Sequence, residues 1–239
     1  MRLNLAEHMQ RRIFWMGYYS TDIVNLLKKS LWPGMVIIDI GANIGEITMV
    51  AARRVGPEGK VIAFEPVSVI AERLSEHVIT NNLTQVIVKK EALGTETGRM
   101  PIYPSCGQYV ADENQGLASL YGEKSQQQPI EYVEVNTLDK VAELHDFSRI
   151  DLIKIDVEGG ELACLQGAMN VLQKFRPMLI VEIQEFSAHQ AGWEVNELFD
   201  YLRGFGYEFF SIGKKGRLSP LNLNALADFQ NVFCKAQGA

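Results

Sequence analysis

The chain has few cysteines and no pattern that would pair them. Its 239 residues include three, Cys106, Cys164 and Cys234, which lie far apart and show no CxxC spacing. An odd count without a framework excludes a disulfide scaffold and indicates reduced thiols in a cytoplasmic protein. Because Cys164 and Cys234 have apolar neighbours, we expect them to be small core residues.

Positive charge and long apolar runs are also scarce. The formal net charge is -6, and the sequence contains no cluster of lysine and arginine residues. Broad contact with nucleic acid phosphates needs a basic face, so we expect no nucleic acid partner. No apolar run approaches the roughly 18 residues that span a bilayer, and the first residues lack a signal-peptide pattern, so we expect no membrane partner. The oligomeric state is left open.

The sequence does contain a regular alternation of strand and helix patterns. Apolar, β-branched runs are followed by glycine or proline and then by apolar residues at helical spacing. The predicted strands span residues 36–40, 60–64, 86–88, 150–155 and 178–183. One of the helical patterns carries Leu162, Leu165, Met169 and Leu172. Nearly continuous apolar strands separated by amphipathic helices predict a parallel sheet covered on both faces.

Three regions depart from this alternation. Residues 1–33 are predicted to be a helical segment, with the apolar side chains of Ile23, Leu26, Leu27 and Leu31 on one side. Residues 94–137 are predicted to be an insertion with a few strands that covers part of the site. Residues 207–213 and 228–233 predict two final strands, one of them antiparallel. The expected fold is therefore a doubly wound α/β domain over residues 34–239, with a mostly parallel seven-stranded sheet.

The loop after the first predicted strand carries the strongest functional signal. It reads Asp39-Ile40-Gly41-Ala42-Asn43-Ile44-Gly45 and leads into a helical pattern. Its glycines allow a sharp turn close to a ligand, and the next helix offers free N–H groups to an anion. Asp39 would repel a pyrophosphate but can receive an ammonium group. The loop therefore favours S-adenosylmethionine over a dinucleotide, whose GxGxxG pattern it lacks; a turn that binds nothing remains an alternative.

Two more carboxylates stand at the ends of the following strands. Glu65, followed by Pro66, comes about 20 residues after the loop, where a carboxylate can accept hydrogen bonds from both ribose hydroxyls. Glu91, followed by Ala92, closes the third strand and could receive the amino group of adenine. In both cases the alternative is a glutamate that only ends a strand.

With these motifs in place, the chain resembles the FkbM family of methyltransferases, which has the class I, Rossmann-like methyltransferase fold. The matching residues are 39–45, Phe64-Glu65-Pro66, Ala92-Leu93-Gly94, Ala118-Ser119-Leu120, residues 135–139, residues 152–161, Leu165, Gly167, Ala168 and Arg176-Pro177. The resemblance covers roughly residues 18 to 185. Two positions differ from the family pattern: Glu46 stands where an aromatic residue is common, and Gly160 replaces an alanine.

The resemblance implies transfer of a methyl group from S-adenosylmethionine to a hydroxyl oxygen of a small metabolite, such as a sugar or a secondary-metabolite scaffold. Two other functions stay open at this point. The chain could bind the donor without turnover, or it could be a nicotinamide-dependent oxidoreductase, which the loop disfavours. The identity of the acceptor cannot be read from the sequence, because loops determine it.

Candidate catalytic residues lie where the last two parallel strands end. An alcohol needs help to lose its proton, so a base is expected near the donor. Asp156 closes the fourth strand and should also lie beside the donor, and Glu182 lies near the end of the fifth. They could act as base and orienter or together hold a divalent cation. For Glu182 the alternative is a buried carboxylate whose hydrogen bonds are satisfied within the protein. His189, predicted to be on the loop after the fifth strand, is a further candidate base.

Residues around Asp156 are expected to support it. Lys154 lies inside an apolar strand and should pair with a carboxylate, although a neutral catalytic lysine is an alternative. Glu158 and Glu161 flank the turn into the next helix. Glu158 could cap that helix or contact the substrate, and Glu161 could form part of its N-terminal cap. Tyr18 and Tyr19 either line the pocket or only pack.

Overall fold

The computed structural model describes residues 1–104, 118–121 and 128–238. Over these residues the chain forms a large sheet between helices and a smaller sheet beside it. The helices are α1 (His8–Met16), α2 (Thr21–Ser30), α3 (Glu46–Val55), α4 (Ser68–Thr80), α5 (Leu138–Leu144), α6 (Glu161–Gln166), α7 (Met169–Phe175), α8 (Glu185–Ala191) and α9 (Val195–Arg203). The strands are β1 (Val36–Ile40), β2 (Lys60–Phe64), β3 (Val86–Lys89), β4 (Ala92–Leu93), β5 (Gly98–Pro104), β6 (Ala118–Ser119), β7 (Glu131–Asn136), β8 (Leu152–Ile155), β9 (Met178–Gln184), β10 (Tyr207–Gly213), β11 (Arg217–Pro220) and β12 (Phe229–Ala236).

The large sheet confirms the doubly wound arrangement. Its strand order is β11-β10-β12-β9-β8-β1-β2-β3. Strands β3, β2, β1, β8 and β9 are parallel, whereas β12 runs antiparallel to both β9 and β10. The chain moves outward in one direction from β1 to β3 and then returns to place β8 on the other side of β1. Ligands of open α/β sheets bind at such a switch point, outside the carboxyl ends of the strands.

The predicted number of seven strands is wrong, since the described part of the large sheet has eight. The additional strand is β11, which pairs antiparallel with β10 at the edge of the sheet. A short 3-10 turn at Lys214–Gly216 reverses the chain between them. All four residues of β11 are exposed. Because an exposed edge strand needs no apolar pattern, β11 could not be predicted from apolar periodicity.

The two faces of the sheet bury separate apolar clusters. Within β1, Ile37 packs into a cluster with α2 and α3, whereas Ile38 packs into a cluster with α6, α7 and α9. This is the alternation of neighbouring residues along a strand that has a helix layer on each side. The cysteines Cys164 and Cys234 are buried and unpaired, as expected; Cys106 lies outside the described residues.

The single helix predicted from Leu162 to Leu172 is two helices in the structure, α6 and α7. The break falls at Gly167, where a β-carbon would lie 1.9 Å from the carbonyl oxygen of Gly94. Asp139 then receives the backbone N–H groups of Asn170 and Val171 at the start of α7. The helical spacing of apolar residues continues across Gly167, so the spacing does not predict the break.

The smaller sheet and helix α1 pack together against the glycine loop, whereas α2 packs on one face of the large sheet. The smaller sheet has the order β4-β7-β5-β6, which confirms strands in the predicted insertion where it is described. Ile13 of α1 packs in one cluster with Ile102 and Leu120 of this region and with Ile44 of the glycine loop. The first 33 residues carry α1 and α2. None of the helices in the described ranges is long and apolar enough to cross a bilayer.

Candidate active site

A cavity of about 210 Å³ opens at the carboxyl ends of β1, β2, β8 and β9. The loop after β1 and the residues after β2 form one part of the lining, and the ends of β8 and β9 form another part. Met9, Tyr19 and Ser20 of the N-terminal segment, with Leu120 and Tyr121 beside β6, complete the lining. The cavity therefore lies at the switch point of the sheet, where the fold places ligands.

The glycine loop is held against β2 by backbone hydrogen bonds. The N–H groups of Gly41 and Ala42 both donate to the carbonyl oxygen of Phe64, at 3.0 and 2.9 Å. Gly41 has a φ of 75°, and a β-carbon there would lie 1.8 Å from the carbonyl oxygen of Asp156. No side chain fits at this position, because the loop passes directly over the end of β8.

Glu65 is fixed in the same part of the lining by two backbone donors. Its Oε2 accepts from the N–H of Asn43 at 2.9 Å, and its Oε1 accepts from the N–H of Val67 at 3.0 Å. Burial raises the pKa of Glu65 to about 7, against the effect of these two donors. Each carboxylate oxygen keeps a further lone pair, so Glu65 can still accept hydrogen bonds from a ligand in the cavity.

The other predicted donor contacts in this part of the lining also face the cavity. Pro66, Glu91 and Ala92 do so, together with Gly41 and Asn43.

Glu91 is held in place by a residue at the end of β7. The Oε2 of Glu91 accepts from the Nδ2 of Asn136, at the end of β7, at 3.2 Å. Asn136 belongs to the stretch 135–139 that the sequence marked without a role.

Asp39 and Gly45 are placed behind the loop and do not line the cavity. Asp39 is fully buried, and its Oδ2 accepts from the Oγ1 of Thr48 at 2.6 Å. Burial raises its pKa, against the opposing charge of Lys154. Gly45 starts α3, where a β-carbon would lie 2.4 Å from the Cδ1 of Leu74. Both residues therefore shape the loop from inside the protein.

Asp156, Glu158 and Glu182 form an acidic cluster in the part of the lining at the ends of β8 and β9. One oxygen of each lies within 4.8 Å of the others, and all three residues line the cavity. Burial, followed by the charges of Asp156 and Glu158, raises the pKa of Glu182 well above its ordinary value. Burial and the charges of Asp156 and Glu161 raise the pKa of Glu158 to about 7. Three carboxyl groups this close favour retention of protons at neutral pH; the spacing alone assigns no metal ion.

Lys154 supplies a positive charge to this cluster. Its Nζ donates to the Oδ2 of Asp156 at 2.8 Å and to the carbonyl oxygen of Gly41 at 3.3 Å. Burial alone would lower its pKa, but the charges of Asp156 and Asp39 outweigh burial and raise it above the ordinary value. The predicted pairing with a carboxylate is confirmed. A lysine held as an ammonium group cannot act as a base.

The turn between β8 and α6 is built around Glu161. Its carboxylate accepts from the N–H of Val157 at 3.1 Å and from the N–H of Gly159 at 3.0 Å. Glu158 has a left-handed φ of 51°, which is uncommon for a residue with a side chain. The carbonyl oxygen of Glu158 accepts from the Oγ of Ser119 at 2.6 Å. These bonds hold Glu158 where its side chain reaches the cavity.

His189 is not on a loop, and its predicted location is wrong. It lies in α8, half exposed, with its Nε2 3.2 Å from a carboxylate oxygen of Glu194 and 3.8 Å from one of Glu185. It does not line the cavity. Gln184 ends β9, and α8 begins at the next residue, so the chain turns away from the site before His189.

Sequence reasoning left several lining residues without a role. Tyr19 lines the cavity, whereas Tyr18 packs on the core and receives Lys28 over its ring. Phe229 and Tyr121 also line it, although no motif marks them. They reach the cavity through tertiary packing, which leaves no local sequence pattern.

The two departures from the family pattern have structural explanations. The carboxylate of Glu46 accepts from the backbone N–H groups of Tyr19 and Ser20, and so ties the start of α2 to the start of α3. A β-carbon at Gly160 would lie 3.1 Å from the Val157 side chain and 3.4 Å from the Tyr121 ring. A glycine there leaves room for that ring beside the cavity.

The fold and the cavity define a class I methyltransferase. The methyltransferase FkbM domain model matches residues 39–209, so the chain belongs to the FkbM family of S-adenosylmethionine-dependent methyltransferases. A solved FkbM methyltransferase from Methylobacillus flagellatus KT superposes with a TM-score of 0.53 at 18% identity, over 84% of this chain and 43% of that one.

Curated relatives are similar at low identity. The 2-O-methyltransferase NoeI of Sinorhizobium fredii is 28% identical over 77% of this chain and 76% of its own length. The 31-O-demethyl-FK506 methyltransferase FkbM of Streptomyces tacrolimicus is 26% identical over 84% and 82%. The AMB antimetabolite synthetase AmbE of Pseudomonas aeruginosa is 26% identical over 87% of this chain, which spans only 11% of that protein.

Proposed function

We propose that the chain is an O-methyltransferase that transfers the methyl group of S-adenosylmethionine to a hydroxyl group of a small metabolite, a sugar or a secondary-metabolite scaffold. One observation carries the proposal: the acidic cluster opens into the same cavity as the glycine loop and Glu65. A carboxylate beside a donor site suits removal of a hydroxyl proton. The names of NoeI and of the FK506 relative, both of which specify oxygen, support the same chemistry.

The donor side of the cavity is formed by the residues predicted to contact the donor, apart from Asp156, which was also predicted beside the donor and which we assign to the acceptor side. These are Gly41, Asn43, Glu65, Pro66, Glu91 and Ala92. Glu65 would accept the ribose hydroxyls, Glu91 the adenine amino group, and the loop would pass along the methionine part. Asp39 and Gly45 would act on the donor only through the shape of the loop.

The acceptor side is Lys154 with the acidic cluster. Asp156 would take the proton as the hydroxyl oxygen attacks the methyl carbon. The carbon–sulfur bond breaks at the same time, and its electron pair stays on sulfur in S-adenosylhomocysteine. Glu182 would orient Asp156 or the acceptor, and the chain's main contribution to the rate is to align oxygen, carbon and sulfur.

Two measurements test the proposal in order. Calorimetric titration with S-adenosylmethionine and with NAD separates a methyl donor site from a nicotinamide site, and heat with NAD alone would reject the proposal. Release of S-adenosylhomocysteine is then measured with labelled donor against a panel of neutral sugars and hydroxylated natural products. Donor binding without release for any hydroxylated compound, while an amine or thiol is methylated, would reject oxygen as the acceptor atom.

A further inference from the structure

We propose that Lys154 is a positioning residue, which ties one oxygen of Asp156 to the donor loop and so keeps Asp156 the charged member of the acidic cluster. This deepens the proposed function, because it rests on Asp156 as the base. Lys154 does not touch the acceptor in this role; it acts through Asp156.

The ammonium group of Lys154 joins the two sides of the cavity. Its bond to the Oδ2 of Asp156, at 2.8 Å, holds the acceptor side, and its bond to the carbonyl oxygen of Gly41, at 3.3 Å, holds the donor loop. Lys154 and Asp156 are two residues apart at the end of β8, so their side chains project from the same face. The link therefore crosses the switch point between β8 and β1.

The pair is buried at one end and open at the other. The Lys154 side chain is 6% exposed, whereas that of Asp156 is 32% exposed. An ion pair shielded from water is stronger than one on the surface, and it is costly to break by removal of one partner. The buried lysine thus serves as an anchor, and the carboxylate that it holds still faces the cavity.

Lys154 distinguishes Asp156 from its neighbours. Among the described carboxylates, that of Asp156 is within 4.0 Å of the ammonium group, and no other is. The remaining charged or titratable groups near Lys154 come from each packed element: Asp39 on β1, Glu65 after β2, Glu158 after β8 and Glu182 on β9. Tyr19, between α1 and α2, lies near the carboxylates of Asp156 and Glu182. Because only Asp156 has the direct bond, protons retained by the cluster settle on Glu158 and Glu182.

The test reads protonation directly and needs no acceptor. The full chain is labelled with carboxyl-¹³C aspartate and glutamate, saturated with S-adenosylhomocysteine and titrated by NMR, and Asp156→Asn identifies the Asp156 signal. In Lys154→Gln, which keeps a hydrogen-bond donor but loses the charge, the midpoint of that signal should move to higher pH by about 1 unit or more. Lys174→Gln, the same change at an exposed lysine on α7, is the matched control and should leave the midpoint in place.

A midpoint that moves by less than about 0.3 units in a folded Lys154→Gln chain overturns the proposal, since nearby opposite charges shift titrations by more. If Lys154→Gln does not fold, the comparison is made in an Asp39→Asn background, which removes the buried charge facing the lysine. The same criterion then applies to Asp39→Asn with and without Lys154→Gln. The NMR titration does not depend on turnover. If Asp156 is not the base, a different measurement shows it, because Asp156→Asn would then keep full activity.

Discussion

The donor side and the acceptor side of the cavity are built in different ways. On the donor side the backbone sets the geometry, because Gly41 and Ala42 donate to one carbonyl group and Glu65 receives two backbone N–H groups. On the acceptor side the geometry comes from side chains that β8 and β9 bring together. The geometry of the proposed donor side is therefore encoded locally after each strand, whereas that of the proposed acceptor side depends on tertiary packing.

The largest expected effect is that of Gly41→Val, because Gly41 touches both sides. The new side chain would collide with the carbonyl oxygen of Asp156, which lies 1.8 Å from the position of a β-carbon. Donor affinity should fall by at least about 100-fold, or about 2.7 kcal/mol. Gly98→Val is the control, since a β-carbon there meets nothing within 4 Å. Normal calorimetric binding by a folded Gly41→Val chain would show that the loop is not at the donor.

Asp156→Asn should separate the two sides. It keeps the shape of the side chain but removes its charge, so kcat with an acceptor from the screen should fall by about 100-fold or more. Donor affinity should change by less than about threefold, because the proposed ribose and adenine contacts, Glu65 and Glu91, do not include Asp156. Addition of a chelator to the wild-type chain distinguishes a base from a metal ligand, as only the latter role loses activity. Turnover near the wild-type rate would remove Asp156 from the mechanism.

Glu65→Ala makes the converse change on the donor side. Loss of charge-assisted hydrogen bonds to the ribose should weaken donor binding by about 1.5–3 kcal/mol in calorimetric titration. Glu96→Ala, on an exposed residue, is the control and should bind normally. Unchanged affinity in folded Glu65→Ala would exclude the ribose contact.

The raised pKa of Glu65 gives a pH-dependent effect on stability. Its pKa rises from 4.5 to about 7 on folding, so the folded chain holds a proton that the unfolded chain releases. The resulting stability is complete below pH 4.5 and is lost as the pH rises through 7. Glu65→Gln cannot release a proton, and its melting temperature should fall less between pH 5 and pH 8 than that of the wild type, by about 3 °C or more. Parallel curves for the two chains would contradict this ionisation.

His189→Ala should have the smallest effect. His189 is half exposed and outside the cavity, and its contacts with Glu185 and Glu194 are surface contacts worth little. Both kcat and donor affinity should stay within about twofold of the wild type. A tenfold loss of turnover with unchanged stability would return His189 to the mechanism.

The position of most residues on the proposed donor side could be predicted from the sequence. Glycines and carboxylates that directly follow apolar strands must reach one edge of a parallel sheet, and Gly41, Glu65 and Glu91 do so. What the pattern cannot tell is whether a side chain near a strand end turns toward the ligand or the core. Asp39 turns inward, pairing in register with Lys154 of the neighbouring strand, and is sealed from the cavity.

The acceptor side was predictable only in part. Asp156 and Glu182 follow from strand ends, but their approach to Glu158 depends on a left-handed residue and on the bonds that Glu161 makes to the turn. Tyr19 and Phe229 come from opposite ends of the chain. Strand β11 and the break at Gly167 were missed because an exposed edge and a close backbone approach change no apolar periodicity.

A structure of the full chain with S-adenosylhomocysteine tests most directly whether the donor and acceptor have separate sides of the cavity. We expect the ribose hydroxyls within hydrogen-bond distance of Glu65 and the adenine beside Glu91 and Ala92. The acidic cluster should remain free of contacts with ribose and adenine, facing the side from which an acceptor would approach the sulfur. A ligand whose ribose lies on Asp156 or Glu182, with Glu65 out of contact, would contradict this division of the cavity.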